Sequence, residues 1–222
     1  MARADRASSR RCVTMLSIYG DFNCPYSYLA SLRADVFIAA GVDVDWRAVE
    51  HARELPVMGR RLDDAGQREV AEELDSVRQL LTPAEEFAAA TPSMLPNTAA
   101  ANAGYAEARG VGVGHEVRRQ LFDAYWTRAV DIGSVEVLRT LLVTPIRRGS
   151  SPAFPLREAG FAVSANRGPI TTTAYRRLTS WHADWVRLAT WTTPTVVVDG
   201  VSHVGVDGLH WLASHQPRSV AA

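Results

Sequence analysis

The residues best suited to chemistry in this sequence are a cysteine and a serine within the segment DFNCPYSYLA, residues 21–30. Cys24 directly precedes Pro25, and Ser27 stands where a redox-active cysteine pair would have its second thiol. A thiolate is the nucleophile of thiol–disulfide exchange, and a neighbouring thiol would resolve the mixed disulfide that it forms. Ser27 can donate a hydrogen bond to a thiolate but cannot resolve a disulfide. The spacing therefore predicts a nucleophilic Cys24 whose product is released by an external thiol, or by Cys12 if the amino-terminal tail folds back.

The surroundings of Cys24 favour a reactive thiol. The apolar run MLSIYG (15–20) predicts a buried strand, and Pro25 is favoured at the first position of a helix. Cys24 would then lie at the positive end of the helix dipole, where free backbone N–H groups stabilise a thiolate, so we expect a lowered pKa. The alternatives are a buried, inert Cys24 that serves as a small hydrophobic residue and a Ser27 that is an ordinary first-turn residue.

Thr193 and Pro194 form a second informative pair, because they open the β-branched run TPTVVVDG (193–200). A proline at the start of a strand lacks a ladder donor and can adopt a cis peptide bond. We expect a cis bond close to Cys24, which leaves the Thr193 backbone free to accept an extended substrate or a thiol peptide. The alternative is a simple edge-strand proline.

The elements that must position these residues lie at the two ends of the chain. The segment VDVDWRAV (42–49) alternates apolar and polar residues, which predicts a half-buried strand after the first helix. TPTVVVDG and VSHVG (201–205) predict a hairpin, and Asp207 is expected to cap a last helix. The middle predicts six helices, the fifth starting near Leu156 and ending before Gly168. We therefore expect an α/β core from 15–54 and 190–216, a helical insertion over 55–189 and a disordered tail over 1–14.

Composition excludes several classes of function. The 24 acidic residues balance 24 basic residues, all of them arginine, so neither nucleic acid nor an anionic membrane is an expected partner. No apolar run approaches the ~20 residues of a membrane span, and residues 1–14 lack the apolar region of a signal peptide. Two cysteines exclude a disulfide scaffold, and six scattered histidines show no zinc spacing. We expect a cytoplasmic protein without a metal, for which Met15 is an alternative start.

DFNCPYSYLA, the helical insertion, TPTVVVDG and VGVDGLHWL together resemble the DsbA-like thioredoxin superfamily. Within it they are most similar to the branch of FrnE-like oxidoreductases, 2-hydroxychromene-2-carboxylate isomerases and kappa-class glutathione transferases, over roughly residues 15 to 214. The resemblance implies an α/β thioredoxin-like fold with an inserted helical domain and Pro194 as the cis-proline. It also implies that Asp207 holds the γ-glutamyl end of a small thiol and that Asn97 and Thr98 open a ligand-facing helix.

The chain departs from both patterns of this branch. The DsbA-like oxidants carry Cys-x-x-Cys, and the isomerases and kappa transferases carry a serine where Cys24 stands. The resemblance allows a single-cysteine thiol–disulfide oxidoreductase in which Ser27 and the Tyr26 backbone stabilise the thiolate. This is the function most supported; the first alternative is an isomerase or transferase that uses glutathione or another low-molecular-weight thiol as cosubstrate for a hydrophobic electrophile. The second alternative is a binding module without catalysis. No bound cofactor is expected, and a homodimer is compatible with all three.

Overall fold

The structure, a computed structural model, describes residues 15–149 and 155–217, so Cys12 and the predicted tail lie outside it. Among the described residues, none of the helices is long and apolar enough to cross a membrane. The elements in chain order are β1 (Leu16–Gly20), α1 (Pro25–Ala39), β2 (Val44–Ala48), β3 (Arg60–Arg61), α2 (Asp64–Arg78), β4 (Met94–Leu95), α3 (Ala99–Gly110), α4 (Gly114–Trp126), α5 (Val135–Arg148), α6 (Pro155–Glu158), α7 (Thr172–Arg187), β5 (Thr195–Val198), β6 (Val201–Val204) and α8 (Val206–Ser214).

The main sheet has the strand order β2-β1-β5-β6 and joins the two ends of the chain. β1 and β2 run parallel with Gly20 opposite Ala48, whereas β5 is antiparallel to β1 with Thr195 opposite Tyr19. β1 and β2 therefore end, and β5 begins, at the same edge of the sheet, which we call the site edge. Since Cys24 follows β1 and Thr193 precedes β5, strand pairing alone brings these two residues together.

Both faces of the sheet are covered, which explains why every residue of β1 is buried. Leu16 and Ile18 point to one face and join the large core that includes residues of α1 and α8. Tyr19 points to the other face and packs with Trp185 of α7. Alternation along β1 thus separates two hydrophobic layers, as expected for a strand with side-chain period two.

α3 packs against β2, which is an outer strand of the sheet. Its alanine-rich sequence leaves residues 100–108 buried, because small side chains let neighbouring helices approach closely. A Cβ at Gly104 would lie only 2.6 Å from Leu142 of α5. The Tyr105 hydroxyl donates a hydrogen bond of 3.1 Å to the Trp46 carbonyl, so α3 also satisfies a backbone group of β2. The helical insertion is therefore packed directly against the strand that leads to the site edge.

Two predicted helix boundaries are wrong. The fifth predicted helix is a single turn, α6, because Gly160 has φ +90° and the chain then forms a turn in which the Arg167 N–H donates to the Ser164 carbonyl. Asp207 does not cap α8: Gly205 is the N-cap, with φ +57°, and its N–H donates to the Pro194 carbonyl at 2.7 Å. A residue in the left-handed region at this junction favours glycine. Asp207 is instead an exposed residue of the first turn.

Candidate active site

Cys24 lies at the junction between β1 and α1, as the N-cap of the helix. Its N–H donates to the Asp21 carbonyl at 3.2 Å, and its carbonyl accepts from the Tyr28 N–H at 3.1 Å, so the turn is held at both ends. The Cys24 Sγ atom is 3.4 Å from the Thr193 carbonyl oxygen, to which the thiol can donate. The Thr193–Pro194 peptide bond is cis. The structure thus joins the cysteine to a backbone segment 169 residues away in the chain.

Burial controls the ionisation of Cys24, and the expectation of a lowered pKa is wrong. The side chain is only 5% exposed. Burial raises the pKa of the thiol because it removes water from the charged form, and Asp21 raises it further. Hydrogen bonds from Ser27 lower the pKa by less than burial raises it. The packing that places the sulfur at the helix start also excludes the solvent that would favour a thiolate.

We expect the alkylation of Cys24 by iodoacetamide to keep accelerating as the pH rises through about 8.5, the ordinary value for cysteine. The reason is that a raised pKa keeps the unreactive thiol form populated until the pH passes that raised value. Rates measured from pH 6 to 10 in a Cys12→Ala background would report Cys24 alone. A plateau reached below about pH 8 would contradict the burial argument.

Ser27 and Tyr26 occupy the first turn of α1 beside the thiol. Ser27 is fully buried, and its Oγ accepts a hydrogen bond of 3.3 Å from the Asp21 N–H. Space here is limited, since a Cβ at Gly20 would lie 2.4 Å from the Trp46 ring and 3.2 Å from the Ser27 hydroxyl. Tyr26 is partly buried, and burial, Glu73 and Cys24 raise the pKa of its phenol. Tyr26 therefore stays neutral beside the sulfur.

Three buried polar atoms around Cys24 have no hydrogen-bond partner within the described residues: Asp21 Oδ1, Asn23 Oδ1 and Thr193 Oγ1. Asn23 is otherwise held by its Nδ2, which donates to the Pro96 carbonyl at 3.0 Å. Buried polar groups are nearly always paired in folded proteins, so atoms left over at one place are suited to a polar ligand. Acceptors dominate this set, which favours a substrate that brings N–H or O–H donors.

Asn97 and Thr98 lie at the start of α3, and neither forms a hydrogen bond with Cys24 in the described part of the chain. Thr98 is the N-cap of α3 without a side-chain capping bond. Asn97 Nδ2 donates to the Leu55 carbonyl at 3.1 Å, and its Oδ1 accepts from the Ala99 N–H at 3.2 Å. Its side chain therefore ties α3 to the loop after β2. The link to the thiol is indirect, through the Asn23–Pro96 bond.

Asp207 lies at the site edge, because the bond from Gly205 to the Pro194 carbonyl places the start of α8 beside the cis-proline. The carboxylate is exposed and stands in the first turn of the helix. This position permits contact with a ligand that lies along Thr193 and Pro194. It also stabilises α8 through the helix dipole.

Sequence reasoning missed Asp21 and His51. Asp21 is 1% exposed, and its Oδ2 accepts from the His51 backbone N–H at 2.9 Å and lies 2.8 Å from His51 Nδ1. A usable signal was present, since Asp21 shares the turn with Cys24 and His51 follows β2, which ends at the same edge. Metal-ligand spacing does not detect this contact, because it involves a single histidine and a carboxylate.

A cavity of about 230 Å³ lies beside the carboxyl end of β2, under α3 and α7. It is lined by apolar residues together with five polar ones, Glu50, Arg53, Asn102, Thr179 and His182. Asn102 is 3% exposed, and its Oδ1 has no partner within the described residues. Arg53 Nη1 lies 3.0 Å from His182 Nε2 at the rim. The cavity can hold a small molecule with an apolar body and a few polar groups.

The family model of the DSBA-like thioredoxin domain matches residues 15–144, more than half of the chain. No curated protein was found to match the sequence. Among solved structures, the fold is similar to a 2-hydroxychromene-2-carboxylate isomerase at 20% identity and TM-score 0.63, covering 90% of this chain and 93% of that one. It is also similar to a probable DsbA oxidoreductase from Streptomyces coelicolor at 13% identity and TM-score 0.65, covering 90% and 87%.

A third similar structure is the cytosolic disulfide reductase DsbM from Pseudomonas aeruginosa with GSH, at 19% identity and TM-score 0.59. The match covers 90% of this chain and 96% of DsbM. At these identities the neighbours establish the fold, and the α/β thioredoxin-like architecture expected from the sequence is confirmed.

Proposed function

Since this chain belongs to the family of DSBA-like thioredoxin domains, we propose that it is a thiol–disulfide oxidoreductase that uses Cys24 as its single active-site cysteine. The observation that carries the proposal is the 3.4 Å contact between Cys24 Sγ and the Thr193 carbonyl next to the cis-proline, with a fully buried serine in place of a second thiol. This arrangement can bind an extended thiol peptide by its backbone and form one mixed disulfide with it.

The reaction proceeds in two exchanges. In the first, the Cys24 thiol loses its proton, the thiolate attacks a disulfide R–S–S–R′, and R′–S⁻ leaves and takes up a proton. Ser27 favours the thiolate during this step, because its hydroxyl and its backbone N–H can donate to the sulfur. In the second, the thiolate of an external small thiol attacks the mixed disulfide, releases Cys24 and forms a new disulfide with R. Ser27 cannot perform this second attack, so the external thiol is a substrate and not merely a reductant.

The proposed cosubstrate is glutathione or another low-molecular-weight thiol. The fold neighbour DsbM is described as cytosolic and has a structure with GSH, which supports a small thiol and a cytoplasmic location for this protein as well. The unpartnered acceptors Asp21 Oδ1 and Asn23 Oδ1 suit the N–H groups of a peptide-like thiol. Asp207, beside Pro194, is suited to the ammonium of its γ-glutamyl end.

We expect the purified protein, after incubation with glutathione disulfide, to gain the mass of one glutathionyl group on the peptide that contains Cys24. Reductant should remove the group completely, because the adduct is a disulfide. Intact mass and peptide mapping with and without reductant are the measurements, and a Cys12→Ala variant should give the same result. An adduct confined to Cys12, or no adduct at all, would overturn the proposal.

The cavity beside β2 favours a second candidate function, a thiol-dependent isomerase or transferase. Its apolar lining residues and its polar groups Glu50, Asn102 and His182 suit a small electrophile held near the site edge. Burial and Asp21 raise the pKa of Glu50, so this group can supply a proton to a bound electrophile. The fold likeness to an isomerase that acts on 2-hydroxychromene-2-carboxylate is consistent with this candidate.

A further inference from the structure

The carboxylate of Asp21 is the nearest buried charge to the thiol along the chain. It lies three residues before Cys24, in a turn closed by the 3.2 Å bond from the Cys24 N–H to the Asp21 carbonyl. The carboxylate is 1% exposed, and its Oδ1 has no partner within the described residues. A buried negative charge at this place opposes the formation of a second negative charge on the sulfur.

His51 is the partner that can offset this charge. It holds Asp21 Oδ2 through its backbone N–H and through Nδ1, at 2.9 and 2.8 Å. The opposite side of the imidazole reaches solvent, since the side chain is 35% exposed. Burial lowers the pKa of His51, but Asp21, followed by Glu73 and Glu54, raises it above the ordinary value. His51 can therefore exchange protons with solvent while it stays bound to a buried carboxylate.

We propose that Asp21 and His51 form a charge pair that sets the reactivity of Cys24: the imidazolium neutralises Asp21 and permits a thiolate, whereas neutral His51 leaves Asp21 to oppose it. The pair acts through electrostatics, so both members are positioning residues and neither reacts with the disulfide. This proposal rests on the proposed function, because it assigns a control to the same thiol.

The other charged groups near the pair are too few to replace His51. Glu73 of α2 and Glu54 of the loop after β2 face the imidazole and reinforce its positive form. Glu50 faces Asp21, and Arg53 and Arg167 face Glu50. Both hydrogen-bond partners of Asp21 Oδ2 within the described residues belong to His51, its backbone N–H and its Nδ1. Neutralisation of Asp21 therefore falls to His51.

The test compares Asp21→Asn, His51→Gln and the double variant by the iodoacetamide rate of Cys24 at pH 7, in a Cys12→Ala background. Asparagine removes the charge, and glutamine keeps a hydrogen-bond donor for Asp21. We expect Asp21→Asn to react about threefold faster, because the larger thiolate fraction outweighs the lower nucleophilicity of that thiolate. His51→Gln should react more slowly by a similar factor, and the double variant should match Asp21→Asn.

A merely structural role would move both single variants in the same direction, so opposite signs distinguish the charge pair from damage to the site. The exposed His210→Gln variant on α8 is the matched control and should leave the rate unchanged. In the wild type, the logarithm of the alkylation rate should rise by less than one unit per pH unit over the range in which His51 loses its proton. In His51→Gln this slope should return to one.

Single variants that agree in sign, or a unit slope in the wild type, would overturn the charge pair while leaving the glutathionyl adduct on Cys24 intact. Absence of that adduct in the wild type would instead refute the proposed function, so the two failures are distinguishable. Circular dichroism of each variant confirms that the rates refer to folded protein.

Discussion

Replacement of Cys24 by serine is expected to reduce thiol–disulfide exchange by at least about 1,000-fold, because the reaction then has no thiolate nucleophile. Serine is nearly isosteric, and its hydroxyl can donate to the Thr193 carbonyl as the thiol does at 3.4 Å. The loss should therefore reflect chemistry and not misfolding. Turnover of a mixed disulfide between glutathione and a small chromogenic thiol is the measurement, with Cys12→Ser as the control that keeps full activity.

The same variant separates the candidate functions. Cys24→Ser recreates the serine that the isomerases and kappa transferases carry at this position, so a thiol-dependent isomerase or transferase would keep much of its activity on an electrophile. Conjugation of glutathione to a panel of aromatic electrophiles measures this. Retained conjugation together with lost exchange would favour the cavity beside β2 as the main substrate site. Exchange that persists in Cys24→Ser would contradict the central role of Cys24.

Conversion of Ser27 to cysteine is expected to raise the oxidation of a reduced protein substrate by at least about tenfold. With glutathione disulfide as the oxidant, the new thiol displaces glutathione from its mixed disulfide with Cys24 and forms an internal disulfide, because well-placed intramolecular groups act at very high effective concentration. Two thiols of the reduced substrate then reduce this internal disulfide and are themselves joined in a disulfide. Position 27 is suited to this substitution because the side chain of Ser27 already interacts with the Cys24 sulfur. The rate is measured as the loss of free thiols from one reduced protein substrate.

Matched variants make the Ser27 result decisive. Ser27→Ala removes the hydroxyl without adding a thiol and should show no gain. Cys12→Ala should leave the wild-type rate unchanged, since Cys12 is expected to take no part. If the wild type already matched Ser27→Cys, and Cys12→Ala abolished that activity, Cys12 would be the resolving thiol and the single-cysteine mechanism would be wrong.

Local sequence determined the elements that carry the site. An apolar strand, a proline at the first helical position and alternation over 42–49 are short-range signals, and β1, α1 and β2 follow them closely. Ser134 likewise caps α5 as its sequence predicts, accepting from the Val137 N–H. The helix predicted from Leu156 is limited to one turn, because Gly160 with φ +90° follows α6 closely and the chain changes direction there.

Tertiary structure decided how these elements act together. The charge state of Cys24 depends on burial under distant segments, which reverses the effect expected from the helix start alone. The contact of Asp21 with His51 spans 30 residues and exists because β1 and β2 are parallel and end at one edge. Residue types and spacing thus predicted the candidate nucleophile, Cys24, and the cis-proline that lies beside it. Desolvation and charge pairing act through space, so only the folded chain could indicate the groups that we propose to control the thiol.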